Sequence, residues 1–220
     1  MKDKFEANCF DWDDNILFMP TDIVIFNKHN DEEIFLSTEE FAHFRSYIGK
    51  NKKFNVYKKR ISENGEKRSF KDFEVLGVEG EKKFSFREFR DCSNKYFLKH
   101  LKMAVNNEEF APEWNKFVEA LNDKNKAKYT YIITARGHSP QTMYEGLKFL
   151  QKKGYIKYLI PKKNIFPVSF LNDAEDALDP QEYKFNVLKN IIQNANGFVD
   201  AKVYFSDDDL KTFKFMQEGI

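Results

Sequence analysis

Two aspartates placed two residues apart, Asp11 and Asp13, follow a strand-like stretch at 7–10. A carboxylate where a strand leaves its sheet can attack an electrophilic phosphorus. A second carboxylate, displaced by the turn, can hand a proton to the leaving oxygen and later take one from water. Three more acids, Asp207, Asp208 and Asp209, follow another strand-like run, Lys202-Val-Tyr-Phe205. Asp207 and Asp208 with the first pair would make an oxygen-rich cradle suited to Mg²⁺, and so many carboxylates need a cation. Thr134 closes a third apolar run, at 129–133, and Ala135 and Arg136 follow it. That turn offers a hydroxyl, backbone N–H groups and a guanidinium to phosphate oxygens. Lys184 lies near the start of a helix and offers positive charge to a phosphoryl group and to Asp11. Taken singly, these are ordinary turn acids, a strand end and a lysine. Their order, with strands in front of three of them, gives them weight.

The elements that must position these groups are readable from pattern. A hairpin is predicted over 21–36, with its polar turn at 27–31. Ser37-Thr-Glu-Glu40 and Ser85-Phe-Arg-Glu88 are capping boxes, the second opening a helix to about residue 105. The polar stretch 49–68 reads as a second hairpin turning at Asn64-Gly65, and Pro112 opens a helix to about residue 122. From there strands and helices alternate. The strand ending at Thr134 precedes a helix from Pro140 to a terminating Gly154, then strand-like runs at 155–160 and 165–170. Asp179-Pro-Gln-Glu182 starts a helix to about residue 194, and a last helix begins near Asp208. Such alternation implies parallel strands covered by helices.

Asp-x-Asp-x-Asn at 11–15, Thr134 at a strand end, Lys184 downstream and the Asp207–Asp208 pair together resemble the haloacid dehalogenase-like hydrolase superfamily. The resemblance implies an α/β fold: a Rossmann-like parallel sheet flanked by helices, with a cap or flap inserted after the first strand. The core would comprise 1–20 and 127–220, and the insertion 21–126. It further implies an aspartyl-phosphate intermediate and Mg²⁺ dependence. Asp11 corresponds to the nucleophile and Asp13 to the general acid and base. Thr134 and Lys184 correspond to the phosphate-binding pair. Asp207 and Asp208 correspond to the metal-binding acids, joined by Asp11 and the backbone carbonyl of Asp13. Asn15 stands where Thr is more frequent, and Trp12 is a bulky residue between the aspartates. The second aspartate favours phosphoryl transfer over carbon–halogen hydrolysis, which needs no leaving-group acid there.

With 36 Lys and Arg against 35 Asp and Glu, the chain of 220 residues carries a net charge of +1, which argues against a globally basic nucleic-acid binder. Eight basic residues between 49 and 68, against Glu63 and Glu66, leave a polyanionic substrate or nucleic-acid ends as an alternative. The main expectation is a phosphorylated small molecule; a binding or scaffold protein with a vestigial site is the reading from another class. Cys9 and Cys92 form no motif, and no run approaches the roughly 18 apolar residues of a membrane span. The expected setting is cytoplasmic.

Overall fold

The first strand of the computed structural model is longer than its apolar tail: β1 spans Lys2–Phe10. Its polar first half is held by a ladder to β9 (Phe198–Ser206), registered from Lys2↔Phe198 to Phe10↔Ser206. Backbone pairing extends it past that tail. On its other side β1 pairs with β7 (Thr130–Thr134), and β7 pairs with β8 (Ile165–Pro167). The result is a parallel four-stranded sheet in the order β8-β7-β1-β9. The structure describes residues 2–21, 23–27, 33–37, 57–59, 75–78, 81–84, 95–168, 180–195 and 198–219.

A buried apolar cluster lies on each face of the sheet, as parallel strands require, while the edge strand β9 stays largely exposed, Val199 and Tyr204 included. On one face Phe10, Trp12 and Ile132 join Phe97 and Leu101 of α1 (Lys95–Asn106), Phe117 and Leu121 of α2 (Trp114–Asn122), and Met143 and Leu147 of α4 (Pro140–Lys152). On the other, Phe5, Ala7, Cys9 and Ile133 meet Val187, Leu188 and Ile191 of α5 (Pro180–Ala195) and Met216 of α6 (Leu210–Gly219). Ile132 and Ile133 face opposite ways because successive strand side chains alternate. A short helix, α3 (Lys124–Lys128), leads into β7. Residues of α1 and α2, grouped by sequence with the insertion, therefore pack into the core cluster of β1.

Within 21–126, β2 (Ile23–Asn27) and β3 (Glu33–Leu36) form the expected antiparallel hairpin, with Ile25 opposite Ile34. The basic β4 (Tyr57–Lys59) adds to the other side of β2, and β5 (Val75–Val78) pairs with β6 (Glu81–Phe84). The helix expected after Ser37, the turn at Asn64-Gly65, the first ten residues of the helix from Ser85, and Cys92 lie outside the described residues.

α4 starts and stops as its sequence dictates. Ser139 Oγ accepts from Thr142 N at 3.1 Å, Pro140 opens the helix, and Gly154 takes φ 84° beyond its end. The strand expected at 155–160 does not form. There Tyr158 N donates to Leu121 O at 2.9 Å and Tyr155 N to Leu150 O, so the backbone is tied to helix ends. Its apolar alternation reflects the burial of Ile156 and Ile160 in irregular chain.

Candidate active site

The register brings the separated acids together. Phe10↔Ser206 sets Asp11 beside Asp207, and Asp11 N donates to Ser206 O at 3.0 Å. Phe10↔Ile132 sets Thr134 level with the loop after β1. That loop is a tight turn in which Ile16 N and Leu17 N return to Trp12 O, and Asp14 adopts φ 57°. A short polar residue tolerates this left-handed region. Asn15 then does what a Thr hydroxyl cannot do alone. Its amide donates to Ser206 Oγ at 2.9 Å and reaches Asp11 O and Ser206 O, each at 3.3 Å. It staples the loop to the end of β9. Trp12 explains itself as core, fully buried between Phe97 and Phe117, with ring centroids 5.8 and 6.3 Å away.

Lys184 is buried and bridges two carboxylates: Nζ donates to Asp207 Oδ2 at 2.7 Å and lies 3.2 Å from Asp11 Oδ2. Burial alone would lower its pKa, but Asp11 and Asp207 outweigh that and hold the ammonium charged. Asp11 is pushed well above the carboxylate range by burial, against the pull of Lys184, with Asp207, Asp208 and Asp13 adding to the rise. Asp208 rises from an ordinary 3.8 to about 7, through desolvation first and then the charges of Asp207 and Asp14. Its residue is exposed, so water screens part of that shift.

Ligand oxygens of Asp11, Asp207 and Asp208 lie within 4.8 Å of one another, the one such group among the described residues. Asp11 Oδ1 is buried without a hydrogen-bond partner. A carboxylate oxygen without a hydrogen-bond partner, in a cluster of three acids that share a single ammonium, fits a hard divalent cation. Such an ion would be held by Asp11, Asp207 and Asp208. The side chain of Asp13, expected by sequence near the metal through its carbonyl and as acid and base, is engaged elsewhere.

Asp13 forms a buried fork with Arg136. Nε donates to Oδ2 at 2.7 Å and Nη2 to Oδ1, with the Arg136 side chain at 0% exposure and that of Asp13 at 11%. The phosphate-binding part expected of Arg136 is not what these contacts describe: the guanidinium is committed to Asp13 and closed off from solvent. Thr134 is buried and its Oγ1 accepts from Arg136 N at 3.3 Å, so it organises the turn at Ala135. His138, two residues after Arg136, is also buried. Desolvation first, then Arg136 and His100, keep its imidazole well below its usual pKa and hence neutral.

The predicted residues thus fall into two adjoining groups, Asp11–Lys184–Asp207–Asp208 and Asp13–Arg136–Thr134. Sequence reasoning missed the staple between Asn15 and Ser206, and it missed Thr21 and His100, whose side chains meet at 3.0 Å. No periodicity links residues 21, 100 and 136, so only the fold could join them. A cavity of about 650 Å³ runs from Asp207 and Asp208 along β1 and β9 to α2, bounded by Asn15, Lys116 and Tyr204. No helix among the described residues is long and apolar enough to cross a membrane. No family profile, curated protein or solved structure matches the chain.

Proposed function

We propose that this protein is a Mg²⁺-dependent phosphomonoester hydrolase of the haloacid dehalogenase-like type, acting through an aspartyl phosphate on Asp11. The observation that carries the reading is Asp11 itself. It lies past the central strand at the carboxyl edge of a parallel sheet, where ligands of open α/β folds collect. One of its oxygens lies 3.2 Å from Lys184 and the other is buried without a partner. When bound, Mg²⁺ would neutralise carboxylate and phosphate charge.

The remaining work falls to the chain. Asp11 forms a bond to phosphorus as the bond to the leaving oxygen breaks, and Asp13, entering the step protonated with one oxygen out of the Arg136 fork, supplies the proton that makes it an alcohol. Asp13 then takes a proton from a water that attacks phosphorus, releasing inorganic phosphate and free Asp11. Lys184, held between Asp11 and Asp207, keeps positive charge against the phosphoryl oxygens and keeps Asp11 aligned. Thr134 and the N–H groups of its turn supply further donors.

The test is hydrolysis of a generic aryl phosphate with and without Mg²⁺, comparing the wild type with Asp11→Asn. Metal-dependent turnover that disappears in the variant is the expected result. Turnover that survives in Asp11→Asn would exclude Asp11 as the nucleophile. Absence of turnover across several divalent metals and phosphomonoesters would favour the binding-protein alternative.

A further inference from the structure

Arg136 grips Asp13 with two of its nitrogens, and the same guanidinium is gripped from two other directions. Nη2 donates to Thr21 Oγ1 at 3.4 Å, and the guanidinium carbon lies 5.2 Å from the ring centroid of Phe97. Thr21 Oγ1 in turn bonds His100 Nδ1 at 3.0 Å, and Phe97 lies 5.0 Å from the ring of His138. The positions of these partners in the chain matter. Thr21 is the last described residue before β2, where the chain departs from the core. Phe97 and His100 lie in the first two turns of α1, where it returns. The outgoing and returning roots of the segment between β1 and α1 therefore converge on one buried cation, and that cation holds one carboxylate.

We propose that Arg136 is a positioning residue for Asp13, and that Thr21 and α1 set its hold. This rests on Asp13 being the proton carrier of the reading above. A planar guanidinium bound side-on fixes both the position and the plane of a carboxylate, which an ammonium does not do. With Thr21 behind Nη2 and Phe97 against its face, the guanidinium has little freedom to swing. A displacement of either root would pass to Asp13 through contacts already made. For Asp13 to give or receive a proton, one oxygen must leave the fork.

The experiment compares kcat/KM for two substrates with Mg²⁺ in the wild type, Arg136→Ala, Arg136→Lys and Thr21→Val. An alkyl phosphate needs a proton on its leaving oxygen; dinitrophenyl phosphate does not. Loss of proton transfer is worth about a hundredfold or more. Arg136→Ala is expected to lose that much on the alkyl phosphate and less than tenfold on dinitrophenyl phosphate. Added guanidine should restore part of the loss. Arg136→Lys should recover little, and Thr21→Val should show the same selectivity at smaller size. Equal losses on both substrates, the signature of a phosphate ligand or of general unfolding, would overturn the proposal. So would Thr21→Val indistinguishable from wild type on both substrates. Should the wild type turn over neither substrate, or Asp11→Asn retain activity, the failure belongs to the hydrolase reading, and this inference falls with it.

Discussion

Lys184 has two anionic neighbours, Asp11 at 3.2 Å and Asp207 at 2.7 Å, in a place water scarcely reaches. Removing it leaves two carboxylates facing each other uncompensated. Breaking a buried pair from one side costs roughly 3–5 kcal/mol. Lys184→Met should therefore abolish turnover and lower the metal-free stability by about that amount in urea, with Mg²⁺ recovering part of the loss. The acids themselves predict a pH effect. Asp208 sits at about 7 rather than 3.8, and Asp11 is raised as well, so the folded metal-free chain holds protons that the unfolded chain releases. Their contribution is present below the unfolded value and is lost as pH rises through the folded one. A bound cation reverses this, because it takes the deprotonated ligands. The gain in melting temperature on adding Mg²⁺ should be larger at about pH 8 than at about pH 5. A gain independent of pH would separate the metal from these carboxylates. At this scale the sequence singled out Asp11, Lys184, Asp207 and Asp208 as chemistry-bearing residues, and the fold sets their side chains against one another. The sequence could not foresee that Arg136 would turn to Asp13, because an arginine beside a phosphate-type turn has equal chemical claim on either anion.

α4 shows how an element carries information to the site. Gly146 lets it approach α1 closely: an added Cβ would lie 2.8 Å from Phe97 Cε1 and 3.0 Å from Leu101 Cδ2. Overpacking of this kind costs about 1–3 kcal/mol, against a helix-propensity gain of about 1 for Ala over Gly. Gly146→Ala should destabilise slightly and, by pushing on Phe97, reduce turnover through Arg136 and Asp13. Gly154 is the control. It has φ 84° and nothing within 4 Å, so Gly154→Ala should cost about 1–2 kcal/mol of backbone strain and leave kcat unchanged. Urea melts and aryl phosphate kinetics on both variants check the pair. The helix boundaries here were legible because Pro140 and Gly154 act locally. The run at 155–160 was not, because its apolar spacing is shared by strands and by irregular chain tucked under a helix.

For the whole molecule the decisive fact is that β1 is central, with β7 on one side and β9 on the other. The first strand cannot complete its sheet until the last one is present, and contacts so distant in sequence form late. A chain ending at residue 197 should lose cooperative unfolding by circular dichroism, along with metal binding. Retention of both would mean that β9 is dispensable. The basic stretch belongs to this scale too. Lys58 and Lys59 lie in β4, and Arg60 is outside the described residues. Neutralising all three should change hydrolysis of a small aryl phosphate and of a 3′- or 5′-phosphorylated oligonucleotide alike. Selective loss on the oligonucleotide would favour nucleic-acid ends as the substrate.

The sequence by itself determined the ends of α4, the start of α5 at Pro180, and which acids and which lysine the fold had at its disposal. These depend on neighbours within a few residues, or on chemistry that only certain side chains possess. Tertiary structure alone decided the partners. The register Phe10↔Ser206 put Asp11 against Asp207, and the fold closed Asp13, Arg136, Thr21 and α1 into one chain of contacts. The reason is range: propensity and capping act over one turn of chain, whereas buried charges choose among every counter-charge that folding brings within a few ångströms.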